Sequence, residues 1–371
     1  MKKNKNIIGF IVIFISIFYK YLSFYEIENE SVTMAIIFIA IILNIVIIIK
    51  KKFSKKQLIT VLIPFIFVTV MARSLDSFVT LLIALMFSKN DIREFFKIFF
   101  ISSLTCYLLT ITLNFAGVLE DNSIRRFTEN GVIVRNSLGF SHVNGVFKNF
   151  LPIVLSGYFL VKEKNIRKYN LFIFIISTVL YSISNSRTGY LCIIIYLLFT
   201  TFIDIMKFKT IRNSVKYIFI ICTIITLVIA NFAGKSENNS INELLSNRPV
   251  IWNYFINNAN AISFINVNFT RIPIDNTYIT YLVNYGVLAY IIMFLIKYFA
   301  IKKINDNRIL LIILILSIYG IFENSVSYGI DFTIIIQLIY LLDNECKNLK
   351  ECEDDKIENK YMNLDSLVIR K

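Results

Sequence analysis

Residues 308–343 read RILLIILILSIYGIFENSVSYGIDFTIIIQLIYLLD, two apolar blocks joined by a short polar turn, with Glu323 near the end of the first block. Each block approaches the ~20 residues a helix needs to cross a bilayer core. Arg308 opens the pair, and Lys297, Lys302 and Lys303 stand just before it. The same pattern of apolar blocks with lysines gathered at alternate ends recurs along the chain, and it decides the fold.

The whole chain is 56% hydrophobic with a mean hydropathy of +0.66, yet it carries a formal charge of +14. A soluble protein of 371 residues would not be so apolar, and a nucleic-acid binder places its basic residues on polar, foldable domains. The expected fold class is all-α: a polytopic transmembrane helical bundle of about twelve spans, within a range of roughly ten to thirteen. They fall at 7–24, 33–49, 57–72, 74–89, 96–118, 142–161, 169–184, 187–206, 216–233, 275–297, 308–323 and 327–343. The first follows Met-Lys-Lys-Asn-Lys but is long and lacks a small-residue cleavage site, so it reads as a retained span rather than a secretory signal. Residues 1–343 form the membrane domain, and 344–371 an acidic tail that reads as disordered.

Orientation follows from the basic residues. Lys2/Lys3/Lys5, Lys50–Lys52 with Lys55 and Lys56, Lys89/Arg93/Lys97, Lys162/Lys164/Arg167/Lys168, Lys207/Lys209/Arg212/Lys216 and Lys297/Lys302/Lys303/Arg308 all fall on one side of a twelve-span chain. The positive-inside rule makes that side cytoplasmic, along with both termini. The charge of +14 is therefore mostly a topology signal. Cysteine adds little, since Cys106, Cys192 and Cys222 lie in spans and Cys346 and Cys352 in the tail at a spacing unlike a zinc knuckle. No pair of Gly/Pro-broken segments occupies matching positions in two halves, which counts against a secondary transporter.

The opposite face is rich in arginine. Of twelve arginines, seven fall outside or at the outer boundary: Arg73, Arg125, Arg126, Arg135, Arg187, Arg248 and Arg271. Lysine elsewhere dominates, and only Lys20, Lys148 and Lys235 lie near that side. Arginine offers a planar fork for phosphate or carboxylate oxygens and stays charged in a low-dielectric site. Singly, each could pair with a Glu or reach for headgroups; seven together point to an anionic ligand.

Arg187 lies in SISNSRTGY (182–190), an outer turn where Asn185 or Ser186 can cap the next helix and leave a guanidinium beside its N-terminus. Arg248 repeats the arrangement in LLSNRPVIW, with Ser246 or Asn247 ahead of a helix-starting Arg248-Pro249. The helix that follows carries Val250, Ile251, Tyr254 and Phe255 on one face and is expected at the membrane surface, with Trp252 as an interfacial anchor. The loop 234–274 holds ten asparagines, suited to sugar hydroxyls or reflecting only codon bias, and closes on Arg271, Asp275 and Asn276. Intramembrane charges invite a functional reading, which singles out Lys148 and Glu323, while Arg73 and Asp76 at i,i+3 can pair with each other. The outer face shows no carboxylates at metal-ligand spacing, so no catalytic metal and no cofactor are expected.

The segment RNSLGFSHVNG (135–145) contains the sole histidine, His142. His142 and Asn149 share one helix face, and Asn144 and Lys148 another. The histidine reads either as a base kept neutral by nearby guanidiniums or as a helix-start polar residue.

Taken in order, Arg-x-x-Leu-Gly-Phe-x-His-x-Asn, then Ser-Arg-Thr-Gly, then a long outer loop opening with Asn-Arg-Pro-x-x-Trp and closing with Asp-Asn-Thr-Tyr before LVNYGVL, the chain resembles the Wzy-type polymerases of capsule and O-antigen synthesis. These belong to the wider O-antigen ligase/polymerase superfamily. The likeness covers roughly residues 120–300, and it departs from the family where a proline after the histidine is Val143. It implies a metal-independent glycosyltransferase that polymerises undecaprenyl-diphosphate-linked oligosaccharide repeat units on the outer face of the bacterial cytoplasmic membrane. Its partners would be that lipid-linked donor and acceptor, the bilayer, a flippase and a chain-length regulator, with no nucleic acid. Carried across, His142, Arg187 and Arg248 become catalytic candidates; Arg135, Arg271, Asp275, Asn276, Lys148 and Glu323 become substrate-binding candidates. A ligase acting on finished polymer is the related alternative. A flippase is disfavoured because the inner halves of the spans are almost free of charge.

Overall fold

The computed structural model describes residues 8–17, 38, 42, 53–72, 75–88, 91–128, 131–202, 208–235, 242, 245–257, 262–265, 274–324 and 331–343. Most of the expected span 33–49 lies outside the described residues, as do Arg73, Arg271 and the tail 344–371. The described chain is predominantly helical, in keeping with the all-α expectation.

Helix α1 (Ile8–Ile17) precedes α2, residues 55–72, which contains a π-helical turn over Leu58–Leu62. Then come α3 (Leu75–Phe87), α4 (Ile92–Phe115), a hairpin of β1 (Ile124–Thr128) and β2 (Gly131–Arg135), α5 (Gly145–Leu160), α6 (Ile166–Ser184) and α7 (Arg187–Phe202). The chain continues through α8 (Phe208–Lys216), α9 (Ile218–Ala233), α10 (Arg248–Asn257), α11 (Thr277–Thr280), α12 (Val287–Lys303), α13 (Asn307–Phe322) and α14 (Phe332–Leu342). Acidic and amide side chains start several of them: Asp91, Asn276, Asp306 and Asp331 each accept from free backbone N–H groups of the first turn.

Helices α4, of 24 residues, and Glu163–Ser184, of 22, are long and apolar enough to cross a membrane. The other apolar helices are shorter, 10–17 residues. Several present apolar stripes outward. Leu171, Phe172, Ile175 and Val179 are exposed along α6, and Ile224, Val228 and Phe232 (78% exposed) along α9. Stripes of this size call for an apolar surrounding or a partner.

One feature adds to the expected spans and one departs from them. The polar segment before His142 pairs into the hairpin, with Ile124 opposite Arg135 and Arg125 opposite Val134. Asp121 pins its base, accepting from Ser137 N at 2.6 Å and Ser137 Oγ at 2.8 Å. The second is the expected span 275–297, which is not one helix. The short α11 runs into a π-helical turn over Tyr281–Tyr285 and breaks at Gly286, whose φ of +89° is open to glycine without strain. Restarting there, α12 reaches Lys303, so Lys297 is not in a cytoplasmic turn as expected but buried within the helix, 5.2 Å from the centre of the Phe219 ring.

Aromatic contacts tie the bundle together. Phe96 stacks on Phe159 at 4.1 Å, joining α4 to α5, and Phe99 on Phe332 at 4.2 Å, joining α4 to α14. Helix α13 packs against α7, α8 and α9, and α14 against α3 and α12. Close approach of α5 and α7 depends on Gly189, where any Cβ would collide with Phe147. Small residues at such crossings let backbones draw together for dispersion contacts. Gly189→Ala is expected to destabilise the protein by about 1–3 kcal/mol through overpacking. A thermal melt in detergent that keeps the wild-type midpoint would show that the two helices part without cost.

Candidate functional site

A helix leaves its last carbonyls without intrahelical partners. At the end of α13, four successive carbonyls are each taken by a side chain from another segment. Asn276 Nδ2 donates to Ile321 O at 2.6 Å and Arg248 Nη1 to Phe322 O at 2.6 Å. Thr277 Oγ1 donates to Glu323 O at 3.0 Å and Lys148 Nζ to Asn324 O at 2.8 Å. Cationic donors at a helix C-terminus also meet the negative end of its dipole.

The side chain of Glu323, a buried residue, belongs to the same cluster. Its Oε1 accepts from Arg248 Nη2 at 2.8 Å and from Asn144 Nδ2 at 2.9 Å. The other end of Asn144, Oδ1, accepts from Arg135 Nη2 at 3.1 Å and Ser186 Oγ at 3.4 Å. Arg135 Nε donates to Ser184 O at 3.3 Å. A single hydrogen-bonded chain therefore runs Arg135, Asn144, Glu323, Arg248, joining the hairpin, the start of α5, the end of α13 and the start of α10. Asp275 Oδ2 lies 3.9 Å from Arg248 Nη2 and is 54% exposed.

The backbone bends sharply just ahead of each contributing segment. Among the described residues, the non-glycine residues with positive φ are Leu138 (53°), Asn185 (51°), Ser246 (56°) and Asn247 (60°). They precede His142, Arg187 and Arg248 respectively, with Ser246 and Asn247 both serving the last. Such left-handed conformations are costly outside glycine, least so for Asn, and gather at functional turns. Asn185 ends α6 in this way, and Ser186 turns its hydroxyl toward Asn144, so neither caps α7 with its side chain as expected.

Arg187 is exposed at the first position of α7 and makes no hydrogen bond or ion pair with the described residues. Arg135 and Arg248 are held by protein partners; Arg187 is the unengaged cation of the three. It joins the cluster only through its neighbour Ser186.

His142 lies in the turn before α5, ahead of the first helical residue. Its Nδ1 accepts from Asn144 N at 3.1 Å, so the neutral ring carries its proton on Nε2 and presents a donor outward. The residue is exposed, yet protein around the ring still desolvates its charged form. That desolvation holds the pKa below the usual imidazole value; Asp275 opposes it, while Arg135, Arg248 and Lys148 reinforce it. Its neutral form is thereby favoured, and the charges around it are the other members of the site.

Two expected roles change. Asn276 is fully buried, and its amide is used within the fold: Oδ1 accepts from Tyr278 N and Ile279 N, and Nδ2 reaches Ile321 O and Thr226 Oγ1. It has no capacity left for a sugar and instead fastens α11 to α13. Trp252 is 1% exposed in the core, not at an interface. It lies on the face of α10 opposite Ile251 and Tyr254, which are exposed, and Asn253 Nδ2 holds this helix to Ala230 O at 3.0 Å. Arg125 is exposed on the hairpin, and the side chains of Asp76 and Arg126 lie outside what is described.

Sequence reasoning passed over Asn144 as a site residue, together with Ser186, Thr277 and Asn324. The signal for Asn144 was present: it and Lys148 share a helix face, and both reach the end of α13. No third carboxylate, histidine or cysteine joins Glu323 and Asp275 in a metal-sized group among the described residues. The arrangement offers an anion two partly engaged guanidiniums, one free guanidinium and an imidazole N–H. Because His142 is the only histidine, its ring proton resonances report the site directly. Titration by NMR is expected to give a pKa below ~6.5; Arg135→Ala should raise it and Asp275→Asn lower it further. Insensitivity to both substitutions would remove His142 from this cluster. Comparison of the chain with protein-family models, with curated proteins and with solved structures gave no match, so the reading of the site rests on its residues and their geometry.

Proposed function

We propose that the protein is a membrane glycosyltransferase that polymerises undecaprenyl-diphosphate-linked oligosaccharide repeat units on the outer face of a bacterial cytoplasmic membrane. In this reading the chain is a bundle of about twelve spans with both termini cytoplasmic. The apolar stripes on α6 and α9 face lipid. The cluster at the end of α13 lies at the outer boundary, where the arginines were expected.

The observation that carries the proposal is the convergence of Arg135, Arg248 and His142 on one helix end, with Arg187 unengaged in the adjoining turn. The reaction breaks the bond between the anomeric carbon and the diphosphate oxygen and joins that carbon to a sugar hydroxyl of the next lipid-linked unit. Diphosphate is an acidic leaving group, so its departure needs charge stabilisation more than a proton. Guanidiniums supply that without a metal. Arg187, exposed beside the first N–H groups of α7, suits a phosphate oxygen on both counts. The His142 Nε2–H gives a further donor to the same anion.

Arg187 also gives the cleanest test, because its loss breaks no hydrogen bond or ion pair within the described residues. Deletion of the gene is expected to leave single repeat units on the carrier, and the wild-type gene to restore the ladder of chain lengths. Arg187→Ala, made to normal levels and with an unchanged melting midpoint, should restore little or none, since loss of one such donor lowers rate about 10²–10³-fold. A full ladder from Arg187→Ala would remove the anion-site assignment. Loss of all surface glycan in the deletion strain, with lipid-linked units trapped inside, would identify a flippase instead. Polymer that accumulates on its carrier without reaching its final acceptor would identify a ligase.

A further inference from the structure

The proposed reaction leaves one role unfilled: something must take the proton of the attacking hydroxyl. His142 does not suit it in this arrangement. Its Nδ1 lone pair is engaged by Asn144 N–H, and its outward nitrogen already carries a proton. Asp275 is half exposed and lies 3.9 Å from Arg248, beyond a direct hydrogen bond. Arg135, Arg187, Arg248 and Lys148 are donors without an acceptor lone pair when charged.

Glu323 differs from all of these. One oxygen, Oε1, is fixed by two donors, Arg248 Nη2 and Asn144 Nδ2, which set the plane of the carboxylate. The other, Oε2, makes no hydrogen bond with the described residues, and the side chain is 5% exposed. A carboxylate with one oxygen held and the other open, shielded from water, is the form of a positioned base. Its backbone is equally constrained, because the carbonyls on either side of it and its own are taken by Arg248, Thr277 and Lys148.

We propose that Glu323 is the catalytic base of the transfer, accepting the hydroxyl proton of the incoming sugar at Oε2, and that this proton transfer switches Arg248 from Glu323 to the leaving diphosphate. The inference rests on the polymerase reading. Before the transfer the Glu323 carboxylate neutralises Arg248 across 2.8 Å. As the hydroxyl oxygen bonds to the anomeric carbon, its proton passes to Oε2 and Glu323 becomes neutral. In the same step the bond from the anomeric carbon to the diphosphate oxygen breaks, and its electron pair stays on the diphosphate. Negative charge therefore leaves Glu323 as it appears on the leaving group, and Arg248, no longer held by an anion, follows it. The cation is offered to the transition state more strongly than to the ground state, which is the condition for raising turnover rather than tightening binding. Asn144 has a positioning role: it donates to the same Oε1 and lets Arg135 approach the carboxylate through a neutral amide.

The test uses the purified full chain in nanodiscs, with a lipid-diphosphate-linked repeat unit as substrate and undecaprenyl diphosphate as a binding probe. Glu323→Gln keeps a carbonyl oxygen for Arg248 and Asn144 but cannot take a proton. It is expected to bind undecaprenyl diphosphate within a few-fold of wild type while turnover falls about 10²–10⁴-fold, the range for loss of a general base. Glu323→Ala, equally slow, should regain turnover in proportion to added formate, which supplies a mobile carboxylate. Near-wild-type turnover in Glu323→Gln would overturn the proposal. Parallel loss of probe binding and turnover, with no recovery in formate, would also overturn it by showing that Glu323 only holds Arg248 in place. A folded wild-type protein that binds the probe but never elongates the lipid-linked unit would sink the polymerase reading, and the base with it. Turnover in the wild type sets that failure apart from a failure of Glu323 alone.

Discussion

The arrangement depends on how one helix ends. Helix α13 stops at Phe322, and the carbonyls of residues 321–324 point into a region occupied by protein, away from bulk water. An orphan carbonyl there costs about 1–3 kcal/mol, more than the ~1 kcal/mol a satisfied hydrogen bond contributes. The chain meets this constraint by bringing donors from α5, α10 and α11 to one place. Those donors include the side chains with the chemistry of the site. Satisfying the helix end and assembling the cluster around Glu323 are one act of folding.

The Arg248–Glu323 pair is an uncommon use of buried charge. Desolvating two ions often costs as much as their attraction returns, so such a pair is weak evidence for stability. Here each partner has further hydrogen bonds: Arg248 to Phe322 O and Glu323 to Asn144. The pair also links segments far apart in sequence. Asn144 lies 179 residues from Glu323, and Arg248 lies 75 residues from it. A charge that costs free energy to bury, yet is held this deliberately, fits a site whose pairing changes during its work.

The turns that deliver these residues are strained in a consistent way. Asn185 before Arg187 and Ser246–Asn247 before Arg248 adopt left-handed backbone, and Leu138 does so ahead of His142. The bends at Asn185 and at Ser246–Asn247 stand immediately before the helices that begin at Arg187 and Arg248, and that at Leu138 lies in the turn before α5. The break at Gly286 separates α11, which holds the end of α13, from α12, Val287–Lys303.

Much of this was legible in the residues themselves. Apolar blocks marked the helices closely: 187–206 and 216–233 correspond to α7 and α9, because helix formation by a long apolar segment is a local property. The arginines set apart from lysine in the sequence include Arg135 and Arg248, which meet in one cluster, and the i,i+4 spacing of Asn144 and Lys148 placed both on the face that meets α13. Tertiary structure alone decided the rest. Trp252 and Asn276 look like surface residues in a polar loop, yet one is core and the other is spent on a helix start and a distant carbonyl. The pairing of Glu323 with Arg248, and the bridge that Asn144 makes from Glu323 to Arg135, follow from which segments pack together. A hydrophobic pattern repeats over a few residues and reports which face is apolar. It carries no record of which helix ends meet, and that meeting determines whether an arginine is free, like Arg187, or held, like Arg248.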